Sequence, residues 1–75
     1  MPHISIKIAP GRTEEQKQRL AAQIVRDVMD IADTNEASVS VAIEEVPPAA
    51  WMEQVYQTDI LPHWAQLYKE PGYQP

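Results

Sequence analysis

Cysteine is absent from this chain of 75 residues, so no disulfide can cross-link it and no thiolate can ligate a metal. Phenylalanine is absent too, and the only glycines are Gly11 and Gly72. Lysine and arginine number 6 against 11 aspartates and glutamates, a formal net charge of -5. No two basic residues are adjacent. That excludes the basic stripe that nucleic acid or an anionic membrane surface demands. No apolar run approaches the roughly 18–20 residues of a membrane span. A positive segment followed by an apolar one is missing at the N-terminus, so no secretory leader is expected and the cytoplasm is the expected location. Only two histidines are present, His3 and His63, and no metal site is expected.

What is present is periodic. Ile4, Ile6 and Ile8 alternate with polar residues, the pattern of a half-buried strand over His3 to Ile8. Pro10 and Gly11 break it. Thr13 follows as a helix N-cap, with Gln16 placed to complete a capping box and Glu14 and Glu15 in the first turn. Leu20, Ile24, Val28 and Ile31 recur at helical spacing, widened by Ala21, Val25 and Ala32. This predicts a helix from Thr13 to Ala32, ended by the turn-prone Asp33-Thr34-Asn35. Val39, Val41 and Ile43 alternate again, giving a second strand from about Ser38 to Val46, stopped by Pro47-Pro48. A short helix from Pro48 to Asp59 follows, with Trp51, Val55 and Tyr56 on one side. Pro62 starts a further helical turn carrying Trp64, Leu67 and Tyr68.

Strand, helix, strand is a βαβ unit, an α/β (α+β) arrangement whose strands run parallel through a crossover. The whole chain, residues 1–75, reads as one domain. Two strands and one helix cannot bury both faces of a sheet. A core of this size rarely supplies more than roughly 3–5 kcal/mol. With no disulfide available, self-association is the expected source of stability. Two units side by side give a four-stranded sheet with both long helices on one face.

Among side chains with chemical potential, Pro2 comes first. While Met1 is attached its nitrogen is a tertiary amide, with neither a basic lone pair nor an N–H. Loss of Met1 turns it into a pyrrolidine amine held at the end of a strand. A free α-amine titrates at about 7.7, and burial beside a cation lowers that value. Equally, a proline at the first residue of a strand needs no chemical purpose, because it is not required to donate to the ladder. The residues alone leave both readings open. Arg12, after the Pro10-Gly11 turn, could fork onto a carboxylate or steady an enolate oxygen, or stand as a solvated charge. Glu44-Glu45 reads as a solvated edge that discourages sheet extension. His3 and His63 have no visible partner in the sequence. Trp51 and Trp64 read as core or interface residues.

The opening PHISIKIAPGRTEEQK, the strand SVSVAIEEV and Trp51 after a short turn together resemble the 4-oxalocrotonate tautomerase family. The resemblance runs without gaps from Pro2 to Trp51, and the KEPGY tail is similar to that of its slightly longer bacterial subgroup. It implies a cofactor-free isomerase built from βαβ subunits, paired as a homodimer or as a trimer of dimers. It implies that Pro2, freed by removal of Met1, is the catalytic base. Arg12 then binds a substrate carboxylate or polarises its oxygen, and Trp51 supplies an apolar wall. Relatives specific for oxalocrotonate carry a second arginine in the second strand, where this chain has Ser40. Ser40 can donate a hydrogen bond but cannot replace a bidentate charge contact. A small enol or 2-oxo acid with one carboxylate, such as a phenylenolpyruvate-like compound, therefore fits better than a dicarboxylate. Two other readings stand beside this one, the first motivated by the missing second arginine. One is a non-catalytic oligomeric or partner-binding module. The other is a hydratase- or dehalogenase-like relative using Glu53, which lies two residues after Trp51 and close to where such relatives place a water-activating acid, although they also use paired arginines and Ala9 offers none nearby.

Overall fold

A computed structural model of the chain describes residues 1–73. The alternating isoleucines form the strand β1 over His3–Ile8. Gly11, at a φ of 125°, turns the chain from that strand toward the helix, in a region that disfavours any side chain bearing a Cβ. Thr13 then caps the helix α1, Glu14–Ile31. The Gln16 N–H donates to the Thr13 hydroxyl at 3.1 Å, and the Thr13 N–H donates to the Gln16 side-chain oxygen at 2.8 Å. The expected capping box is thus fully formed.

The C-terminus of α1 closes equally specifically. Asp33 adopts a left-handed φ of 54°, a conformation that Asp tolerates better than most residues. The Ala32 N–H donates to the Val28 carbonyl, and the Thr34 N–H reaches back to that of Met29 at 3.2 Å. Those two bonds satisfy carbonyls that the helix end would otherwise leave unpaired.

The second strand, β2, spans Ser40–Glu45, shorter at both ends than the alternation suggested. Its start is delayed because Asn35 caps one 3-10 turn, Glu36–Ser38, through its side-chain oxygen and the Ser38 N–H at 3.1 Å. The Ser38 hydroxyl is also held, donating to the Asn35 carbonyl at 2.9 Å and lying 2.6 Å from the Thr34 hydroxyl. Ser38 therefore belongs to the turn. From Ser40 onward β2 pairs parallel with β1, His3 opposite Ser40 and Ile8 opposite Glu45. The chain thus contains the expected βαβ unit, with α1 packed on β2.

One sheet face carries the half-buried Ile4, Ile6, Ile8, Val41 and Ile43; the other exposes His3, Ser5, Ser40 and Ala42. Lys17 lies 3.5 Å from Glu14 and 3.7 Å from Glu45, tying the start of α1 to the end of β2. Glu45 is accordingly more than the solvated edge its sequence position suggested. Ala21, Ile24, Val25 and Val28 are partly covered, but no residue of α1 is fully buried. Leu20 is 38% exposed and Ile31 82% exposed. Two strands are too narrow to cover five turns of helix.

The chain divides into two compact units, Met1–Glu45 and a second from Val46 onward. In the second unit Pro48–Trp51 form one α-helical turn, α2. The helix does not continue as the α-helix expected up to Asp59. It widens into a π-helix over Met52–Ile60, then tightens into 3-10 turns over Leu61–Gln66. The Thr58 hydroxyl donates to the Gln54 carbonyl at 2.6 Å, the acceptor that the Thr58 N–H would use in an α-helix. Among the described residues the buried hydrophobic ones, Val46, Val55 and Tyr56, all belong to this unit. Among the described residues no helix is long and apolar enough to cross a membrane.

Removing the Thr13 hydroxyl leaves the Gln16 N–H without its cap. Thr13→Ala is expected to destabilise the fold by about 1 kcal/mol, read as a lower midpoint in urea at fixed protein concentration.

Candidate active site

Pro2 immediately precedes β1 and is half-buried. Its carbonyl accepts a hydrogen bond from the Ser40 N–H at 3.2 Å. Proline offers no N–H to a ladder, so this carbonyl is the anchor that holds the N-terminus to the sheet. Parallel pairing places the starts of both strands on one edge, and the register sets His3 beside Ser40. Their side chains meet there, His3 Nδ1 2.6 Å from the Ser40 hydroxyl. Pro2, His3 and Ser40 therefore form one cluster, joined once through the backbone and once through side chains.

Arg12 lies at the other end of the strand. Its guanidinium donates to the Ala9 carbonyl at 3.1 Å, using one of five N–H donors to close the turn before α1. The Lys17–Glu45 contact places the start of α1 at the C-terminal edge of the sheet, opposite the edge that Pro2 occupies. Six residues of strand between the two edges span about 20 Å. An arginine side chain cannot bridge that distance. Within one chain the structure does not bring Arg12 to Pro2.

Trp51 ends α2 in the second unit and is half-buried. Its indole N–H donates to the Tyr73 hydroxyl at 2.8 Å. The Tyr73 ring in turn lies 6.1 Å from the ring of Tyr56, at a 50° tilt. Glu53 is exposed in the first turn of the π-helix, while Ala9 is half-buried. His63 Nδ1 lies 3.2 Å from the Gln66 side-chain oxygen, a local contact inside its own turn. Among the described residues no group of three or more His, Asp or Glu side chains is placed to hold a metal.

Two partners were not visible in the sequence. Alternation fixes which face each strand exposes but leaves shifts of two residues equivalent, so it places His3 and Ser40 on the same face without pairing them. Tyr73 had a weaker signal: a partly buried indole N–H needs an acceptor, and the tail offers a tyrosine.

A family model described as tautomerase enzyme matches residues 2–56. Tautomerase PptA of Klebsiella pneumoniae is 45% identical over 74 residues, covering 97% of this chain and 97% of that protein. Tautomerase PptA of Escherichia coli is 36% identical over 74 residues, again covering 97% of each. Among solved structures, N2, a member of the 4-oxalocrotonate tautomerase family, superposes with a TM-score of 0.62 and 40% identity. That match covers 64% of this chain and 75% of N2.

If the His3 and Ser40 side chains stabilise the edge through each other, their losses overlap. His3→Ala and Ser40→Ala should each cost about 0.5–1 kcal/mol in urea unfolding, and the double variant little more than either alone. Fully additive losses would show that the pair is not coupled.

Proposed function

This chain belongs to the tautomerase family, and from that premise we propose that it interconverts keto and enol forms of a 2-oxo acid with the Pro2 amine as base and acid. The observation that carries the reading is the anchoring of Pro2 by the Ser40 N–H. With Met1 removed, that bond holds a secondary amine at a fixed place on the sheet edge.

The steps balance on one proton. Neutral Pro2 takes the enol hydroxyl proton, and the electron pair reforms the carbonyl as the double bond shifts. The resulting prolinium returns its proton to the adjacent carbon, leaving the amine neutral again. Negative charge gathers on the substrate oxygens in between, and a guanidinium beside them stabilises it. Arg12 of a second copy supplies that cation, because Arg12 of the same copy stands at the opposite edge of the sheet. Apolar surface left open on α1, at Leu20 and Ile31, favours the same homodimer. A trimer of such dimers fits equally with this chemistry.

Ser40 contributes one hydrogen bond. When His3 carries its proton on Nδ1 it donates to the Ser40 oxygen, and the Ser40 hydroxyl proton is directed to the substrate carboxylate. A neutral hydroxyl is a weaker anion ligand than a second guanidinium. The substrate class is accordingly a monocarboxylate enol with an apolar tail, phenylenolpyruvate-like, for which Trp51 supplies the apolar surface.

Pro2→Ala is expected to lower kcat for phenylenolpyruvate ketonisation at least about 100-fold. Arg12→Ala should lower kcat/KM about 10- to 100-fold, as loss of a charge-assisted contact does. Co-refolding the two impaired variants, Pro2→Ala and Arg12→Ala, provides the sharper test. If the arginine acts across an isologous pair, random mixing restores roughly a quarter of the sites. No recovery from the mixture, with dimers present, would place both groups on one copy and reject this arrangement.

A further inference from the structure

Trp51 is not free to choose its orientation. An indole N–H only donates, so in the 2.8 Å contact with Tyr73 the tryptophan is the donor and the phenolic oxygen the acceptor. The acceptor ring, 46% exposed, is held from one side. Tyr56 is 7% exposed, and its ring lies against that of Tyr73 with centroids 6.1 Å apart and planes tilted by 50°. Tilted pairs at this separation are among the favoured aromatic geometries. A buried ring therefore holds the Tyr73 ring, and the Tyr73 hydroxyl holds the indole 22 positions earlier in the chain. Without that hydroxyl, rotation of the Trp51 side chain about its two torsions changes which part of the ring system is displayed.

We propose that Tyr73 is a positioning residue that sets the plane of the Trp51 indole, and through it the preference for substrates bearing an aromatic tail. This inference rests on the reading of Trp51 as the apolar surface for the substrate. Aromatic stacking depends on the relative tilt of two rings. A ring-bearing enol thus senses the indole plane, whereas a short aliphatic dienol senses chiefly the dry surface. Tyr73 acts on specificity without touching the reacting atoms.

The test compares the mature full-length wild type with Tyr73→Phe, Trp51→Phe and the double variant, on phenylenolpyruvate and on 2-hydroxypenta-2,4-dienoate. Phenylalanine keeps the ring contact with Tyr56 and removes only the acceptor oxygen. Tyr73→Phe is expected to raise KM for phenylenolpyruvate about five-fold while kcat stays within about two-fold. KM for the dienol should not move. In the Trp51→Phe background, which has no indole N–H to orient, the same substitution should add nothing. The Trp51 indole N–H resonance should shift in Tyr73→Phe, a direct reading of the bond that needs no turnover.

Equal KM changes for both substrates would overturn the proposal, as would an undiminished effect in the Trp51→Phe background. An indole resonance unmoved in Tyr73→Phe would overturn it as well. Failure of the wild type to turn over either enol would overturn the parent reading and this one with it. The two failures are distinguishable, because a specificity failure leaves wild-type turnover intact.

Discussion

The hydrogen bond from the Ser40 N–H to the Pro2 carbonyl fixes where this chain begins in space, and parallel pairing carries the consequence to the rest of the first unit. Parallel strands start on the same edge of a sheet and end on the other. The chain's start and the start of β2 therefore share one edge, which gathers Pro2, His3 and Ser40. The turn into α1 necessarily lies at the far edge, together with Arg12 and the Lys17–Glu45 contact. A parallel βαβ unit thus separates its N-terminal amine from the arginine that follows its first strand. In the proposed mechanism a second copy becomes a chemical requirement.

Energetics point the same way. No disulfide is available, α1 has no fully buried residue, and Ile31 is 82% exposed. Local devices make up part of the deficit: the Thr13–Gln16 capping box, the left-handed Asp33 and the Asn35 cap each satisfy backbone groups at a helix end. Such contacts fix boundaries more than they supply bulk stability. Ion pairing at Lys17 is partly exposed and adds little beyond register. The apolar surface left on α1 is the larger reserve.

Much of this was legible in the residues, for identifiable reasons. β1 and α1 have strong, uninterrupted periodicities and matched end signals, so their expected limits agree with the structure to within a residue. The alternation predicts too long a β2 because Ser38 and Val39 continue it, while the competing hydrogen bonds of Asn35 and Thr34 are local side-chain choices that periodicity does not register. The residues from Pro48 to Asp59 predict an ordinary helix where the structure has a π-helix after Trp51. Its apolar spacing is compatible with either winding, and the difference lies in contacts such as that of the Thr58 hydroxyl with the Gln54 carbonyl. Pro2 and Arg12 stand out by residue chemistry alone, whereas their roles, and the parts given to Ser40 and Trp51, come from a resemblance to a known family. The partners of two of them, His3 for Ser40 and Tyr73 for Trp51, needed coordinates, because strand register and chain return bring together residues 37 and 22 positions apart.

In the proposed mechanism Pro2 is present for its amine. Chemical synthesis of the 75-residue chain, and of the same chain without Met1, tests it without altering any proposed site residue. Both products would be folded, checked by intact mass and assayed for phenylenolpyruvate ketonisation under identical conditions. Turnover is expected from the shorter chain and none above background from the longer, in which the Pro2 nitrogen is an amide. Equal rates in the two would contradict that mechanism, and would leave Pro2 as no more than the residue that starts β1.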